Sequence, residues 1–93
     1  MFLEIVTPEA VLFSSEVDSV VVPGINGDFQ MLNNHAPIVS ILGKGLIKIE
    51  ASNINLDEKF QDRFNKTSDG KISLDINSGT IEMKDNKAII LAD

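Results

Sequence analysis

KISLDINSGTIEMKDNKAIILAD, residues 71–93, decides the fold. Ile72, Leu74 and Ile76 alternate with Ser73, Asp75 and Asn77. After the turn Asn77-Ser78-Gly79, Ile81 and Met83 alternate with Glu82 and Lys84. A period of two is that of a strand with one buried face and one wet face. Asp85-Asn86 makes a further turn, and Lys87 to Ala92 a last strand.

The same punctuation runs back toward the N-terminus. Phe2 to Thr7 is an apolar run ended by Pro8, and Ala10 to Phe13 is a second. Glu16 to Val22 is a third, stopped by Pro23-Gly24. Phe29 to Leu32 is brief and Asn33-Asn34 turns the chain. Ile38 to Leu42 follows, then Gly43-Lys44-Gly45, then Leu46 to Ala51, where Ile47 and Ile49 alternate with Lys48 and Glu50. Short strands roughly 8–12 residues apart, with turn signals between them, predict an all-β sandwich or barrel.

One stretch departs from this. In residues 55–70, Leu56, Phe60 and Phe64 stand at i, i+4 and i+8, one face of a helix. Asn55 with Glu58 three residues on would cap it, and Asp57 and Glu58 suit the positive end of its dipole. The alternative is a polar loop with two phenylalanines tucked beneath it.

The totals exclude several chemistries. A chain of 93 residues makes one small domain. It holds no cysteine, so disulfides, thiolate zinc sites and cysteine nucleophiles are out. A net charge of −6 without basic clusters opposes nucleic acid and anionic lipid heads. No signal peptide or membrane-length apolar run is visible. Phosphate-loop, GxGxxG, HExxH and GxSxG sequences are missing. The carboxylates of the second half lack calcium-loop spacing and read as a solvated face. Neither a cofactor nor a metal is expected.

His35 is the single histidine, in GDFQMLNNHAPIVS, residues 27–40. A Ser–His–Asp arrangement with Asp28 and Ser14, Ser15 or Ser40 has nothing beyond composition in its favour. The better reading is a histidine that hydrogen-bonds a loop and sets its shape. Met31 and Leu32 are neighbours on a strand and face opposite ways, so one of them is a candidate exposed anchor. Ordinary core residues are the alternative.

VVVPGINGDFQMLNNHAPIVSILGKGLIKI, residues 20–49, resembles the N-terminal domain of the epsilon subunit of F-type ATP synthases. That family carries a strand ending near a glycine, then Gly-acidic-aromatic or Leu, a short strand, His-Ala-Pro, and a strand leading to Gly. NSGTIEMKDNKAIILAD, residues 77–93, is similar to its end, with Ser-Gly, a strand carrying Glu, an Asn turn and Leu-Ala-Asp. Residues 52–70 look longer than the family's usual connection. The sequence stops at Asp93, where many members continue into a two-helix domain. The expected organisation is therefore one domain, residues 1–93, without that extension.

The resemblance implies a flattened β-sandwich of about ten strands. It also implies a non-catalytic rotor subunit, set between the gamma subunit and the c ring and coupling proton translocation to ATP synthesis. Its place would be the cytoplasmic face of a bacterial inner membrane, held by protein partners without lipid insertion. The implied interface is Gly24, Gly27, Asp28, Met31, Leu32, His35, Ala36 and Pro37. Within it, Gly24 and Gly27 turn the loop, Asp28 faces the c ring and Met31 and Leu32 supply apolar contact. His35-Ala36-Pro37 shapes the loop's end near gamma. The alternative from another class is a free-standing sandwich that binds a peptide or small ligand.

Overall fold

The computed structural model describes residues 1–54, 56, 58–67 and 69–93. Its strands are β1 Phe2–Val6, β2 Val11–Glu16, β3 Ser19–Gly24, β4 Gly27–Leu32 and β5 Ile38–Leu42. They continue as β6 Gly45–Glu50, β7 Phe64–Lys66, β8 Ile72–Ile76, β9 Gly79–Lys84 and β10 Lys87–Ala92, with a 3₁₀ helix at Glu58–Arg63 before β7. The alternation in β6, β8 and β9 is borne out, since Ile47, Ile49, Ile72, Leu74, Ile76, Ile81 and Met83 are all buried.

The hydrogen-bonded path runs β2-β1-β10-β9-β5-β3-β6-β8-β7, with β4 added on β3. A single residue pair, Gly24 with Leu42, joins β5 to β3. The path folds at that corner into two layers, β2-β1-β10-β9-β5 and β4-β3-β6-β8-β7. Their inner faces merge into one core that includes Leu3, Ile5, Val20, Met31, Leu74 and Ile90. At the far edge the path's two ends meet, with the rings of Phe13 on β2 and Phe64 on β7 6.1 Å apart. The result is a β-sandwich, as the alternating pattern predicts.

Three readings need correction. The run Glu16 to Val22 is not one strand. Val17 N–H donates to Met1 O (2.8 Å), on the first layer, and Asp18 N–H to Glu50 O (2.7 Å), on the second. The chain changes layers there, and backbone bonds to two different sheets break the strand. The described part of residues 55–70 is neither an α-helix nor a plain loop. The 3₁₀ helix has three residues per turn, which dissolves the i, i+4, i+8 stripe. Phe64 is already extended and pairs with Leu74. The apolar assignment survives, since Leu56 and Phe60 are half-buried and pack on the core. Asn55 and Asp57, the proposed cap and dipole residues, lie outside the described residues. Finally, Ser73 is buried rather than wet, because Lys48 on β6 and Asn65 on β7 flank it.

The turns are built by local chemistry. Asp85 (φ 53°) and Asn86 (φ 60°) both take left-handed conformations in the two-residue link between β9 and β10. Asx side chains tolerate these better than most, and the resulting twist suits a hairpin. Before β8, the Thr67 hydroxyl donates to Asp69 and Lys71 N–H reaches the same carboxylate at 3.3 Å. Those bonds, the hydroxyl's first, hold the Asp69 carboxyl below the ordinary carboxylate range.

Candidate functional site

β3 and β4 form a hairpin whose tip is Ile25-Asn26. Gly27 takes φ 121°, the conformation that closes the turn and that a side chain would strain. Gly24 serves differently from the tight turn read in the sequence. A Cβ there would lie 2.8 Å from Gly27 O and 2.9 Å from Phe29 Cε1, so Gly24 is required for close approach. Asp28 follows, exposed and paired with Pro23. Gly43 N–H donates to Pro23 O (2.8 Å), which ties the β5–β6 turn to this hairpin. The β1–β2 and β8–β9 turns lie at the same end, since Val6 pairs with Leu91 and Ala92 with Gly79, itself paired to Leu42. This end carries Glu9, Asp28, Asp75 and Asp93 against Lys44 among the described residues, so it is acidic.

The rest of the sequence-chosen set is elsewhere. β4 carries the chain from Gly27 to Leu32, and six extended residues span roughly 17–20 Å. Leu32, His35, Ala36 and Pro37 therefore sit at the opposite end from Gly24, Gly27 and Asp28. That separation removes any His35–Asp28 catalytic pairing. Asn34, at φ 62°, turns the chain, and its N–H donates to Asn86 Oδ1 (2.7 Å). His35 N–H donates to Leu32 O (3.1 Å), and its ring Nδ1 lies 2.7 Å from Ala36 O. The histidine is thus engaged with its own loop.

Met31 and Leu32 are resolved by the pleat. Met31 is fully buried in the core and offers no surface, so it cannot supply the apolar contact assigned to it. Leu32 points outward and is 54 % exposed. Leu32→Ser is expected to change unfolding free energy by less than about 0.5 kcal/mol, as at other surface positions. A larger loss in a urea titration would show Leu32 packed rather than free.

A larger surface was missed in the sequence. Register aligns Val11, Val6, Leu91, Thr80 and Ile41 in one row across β2, β1, β10, β9 and β5. Val39, 75 % exposed, adjoins it beside Glu82. Ile41 is 60 % and Leu91 53 % exposed. On the other layer the equivalent row is Gln30, Val21, Lys48, Ser73 and Asn65, mostly polar. The first of these rows is apolar but for Thr80, and the second is mostly polar. The next outer row of the first layer, Ser14, Glu4, Ile89, Glu82 and Val39, is mixed. Contiguous exposed apolar area of the first kind marks an interaction surface. The available signal was that IVSIL and AIIL, residues 38–42 and 88–91, place apolar side chains on both phases of the alternation. Where this face reaches the acidic end, an open recess of about 560 Å³ is lined by Val6, Pro8, Ile41, Thr80, Leu91 and Asp93, among others.

Among the described residues no group of three or more His, Asp or Glu side chains converges as a metal would require.

The family model described as the beta-sandwich domain of the ATP synthase delta/epsilon chain matches residues 1–93. The ATP synthase epsilon chain of Campylobacter curvus is 40 % identical over 93 residues, all of this chain and 60 % of that protein. That of Chlorobaculum tepidum is 36 % identical over 91 residues, 98 % of this chain and 86 % of that protein. The chain thus spans about 60 % of the Campylobacter relative's length. Among solved structures, a chain of the Tetrahymena thermophila mitochondrial ATP synthase central stalk and c ring has the same fold. Its TM-score is 0.72 at 14 % identity, covering 99 % of this chain and 62 % of that one. A chain of the Euglena gracilis mitochondrial ATP synthase gives 0.72 at 17 % identity, covering 97 % and 48 %. With its whole length matched by the family model and its relatives named as epsilon chains, this chain belongs to the ATP synthase delta/epsilon β-sandwich family.

Proposed function

We propose that the chain is a non-catalytic rotor subunit in the central stalk of a bacterial F-type ATP synthase. It joins the gamma subunit to the c ring and couples proton translocation to ATP synthesis. The observation that carries this is the exposed apolar row of Val11, Ile41 and Leu91, with Val39 beside it, in a member of the epsilon family.

Gamma covers the apolar face of β1, β5, β9 and β10. Removing Val39, Ile41 and Leu91 from water drives that contact, at about 25 cal/mol per Å² of apolar surface buried. The loop His35-Ala36-Pro37 runs directly into β5 and belongs to the gamma side, whereas Leu32 shares the outer face of the other layer with Gln30. The acidic end, with Gly24, Gly27 and Asp28, meets the polar loops of the c ring. There Asp28 accepts charge-assisted hydrogen bonds from Arg, Lys or amide groups. A close-packed β-sandwich with short turns transmits torque because its interior deforms little. The subunit stays at the cytoplasmic face of the membrane through these proteins and not through lipid.

Two measurements test this. Size-exclusion chromatography with purified gamma from the same source is expected to give a one-to-one complex. Separate elution of two folded proteins would favour a ligand-binding sandwich instead. Asp28→Lys should leave the melting temperature nearly unchanged, as an exposed substitution. It should weaken attachment to the c ring at least about tenfold, since a lost charge-assisted bond is worth ~1.5–3 kcal/mol. Unaltered attachment would remove Asp28 from the interface.

A further inference from the structure

The apolar face and the acidic end meet at the recess between the β1–β2 turn and β5. Thr80 on β9 lies in its floor, between Ile41 on β5 and Leu91 on β10. Next to Thr80, Gly79 has no room for a Cβ, which would overlap the Leu91 carbonyl. Val6 and Pro8 form one wall. On the rim the Asp93 carboxylate accepts a hydrogen bond from the Ser78 hydroxyl, which holds the charge in place.

We propose that this recess is a socket for one bulky apolar side chain with a basic residue beside it, both supplied by the gamma subunit. This rests on the reading that gamma covers the outer face of β1, β5, β9 and β10. Two independent features select the occupant. Val6, Pro8, Ile41, Leu42, Leu91 and Ala92 make most of the lining apolar, with Thr7, Ser78 and Thr80 the uncharged polar residues among them. A bulky polar group entering would therefore lose more water than it gained partners. Among the described residues the surrounding end carries Glu9, Asp28, Asp75 and Asp93 against Lys44, so a cation is attracted there and a carboxylate repelled. The recess is too open to enclose a small molecule, whose sites bury most of the ligand's surface. A side chain presented by a larger body has its other sides covered by that body. Few residues dominate an interface, and those that do fill pockets near its centre.

The experiment is calorimetric titration of the full chain with purified gamma from the same source, with a melting curve for every variant. Thr80→Phe fills the recess from its floor, at an exposed strand position that accepts an aromatic residue. It should lower the affinity at least about tenfold. Ile41→Asp, at a side chain already largely in water, should do the same and carries the test if Thr80→Phe does not fold. Asp93→Lys should weaken binding about tenfold at low salt and converge on the unmodified chain at high salt. Lys48→Ala, on the opposite outer face, should bind normally.

Wild-type affinity in folded Thr80→Phe and Ile41→Asp would overturn the socket and leave the gamma reading standing. Wild-type affinity in Asp93→Lys at low salt would overturn the basic neighbour. No binding between the unmodified chain and folded gamma would overturn the gamma reading and the socket with it.

Discussion

Leu74→Ala is expected to destabilise the domain by about 2–5 kcal/mol, the range for truncating a buried leucine where surroundings collapse incompletely. Leu74 is 1 % exposed and sits mid-strand in β8, between Ile47 on β6 and Phe64 on β7. Three strands fix their side chains around that position, so little can move in to fill the space. Domains of this kind have ~5–15 kcal/mol in total, so the substitution removes a large share. The measurement is urea unfolding followed by circular dichroism. The midpoint should fall while the slope stays constant, as expected when stability alone changes. A near-neutral result would mean that the inward face of β8 is not the packed side.

Gly79→Ala should cost about 1–3 kcal/mol, toward the upper end of what overpacking does. Gly79 opens β9 between two neighbours, paired with Leu42 on β5 and Ala92 on β10. A methyl there would overlap the Leu91 carbonyl and lie 3.4 Å from Ala92 Cα. Both obstacles are backbone, so no rotamer change relieves them. The end of β10 must lift away from β9, which also disturbs the recess beside Thr80. Hydrogen exchange at Leu91 and Ala92 should rise along with the fall in melting temperature. Unchanged exchange and melting would show that this end of β10 yields freely.

The sequence carried the fold wherever one face was buried and the other wet. In β6, β8 and β9 a period of two leaves no alternative register, because a slip of one residue would put Ile47 or Ile81 into water. Asn34 and the Asp85-Asn86 pair were legible as turns because few residues tolerate their conformations. Legibility failed where a tertiary partner decided. Phe64 looks helical in its own window, but β8 recruits it as an edge strand. Glu16 to Val22 looks continuous, but its backbone bonds to two layers in succession.

The interface was the harder part. Gly24 to Pro37 is compact in sequence, yet β4 carries its halves to opposite ends of the molecule. Met31 and Leu32 could not be told apart until the pleat assigned one to the core and one to solvent. The apolar outer face escaped notice because it is assembled from five strands. No two of its row members, Val6, Val11, Ile41, Thr80 and Leu91, are adjacent in sequence. Only the register brings them into line.

The pairing of the first strand with the last sets an order on biosynthesis. β1 lies parallel to β10, with Leu3 opposite Ala88 and Val6 opposite Leu91. While the polypeptide is still emerging from the ribosome, β1 has only β2 to bind, and a lone hairpin is marginal in water. The layer it belongs to cannot close until β10 has left the exit tunnel. Until then β1 lacks one of its two strand partners. Contacts so distant along the chain also place the domain among slow, topology-limited folders. A ribosome stalled before β10 should therefore hold a protease-sensitive chain, and one stalled well beyond it a resistant one.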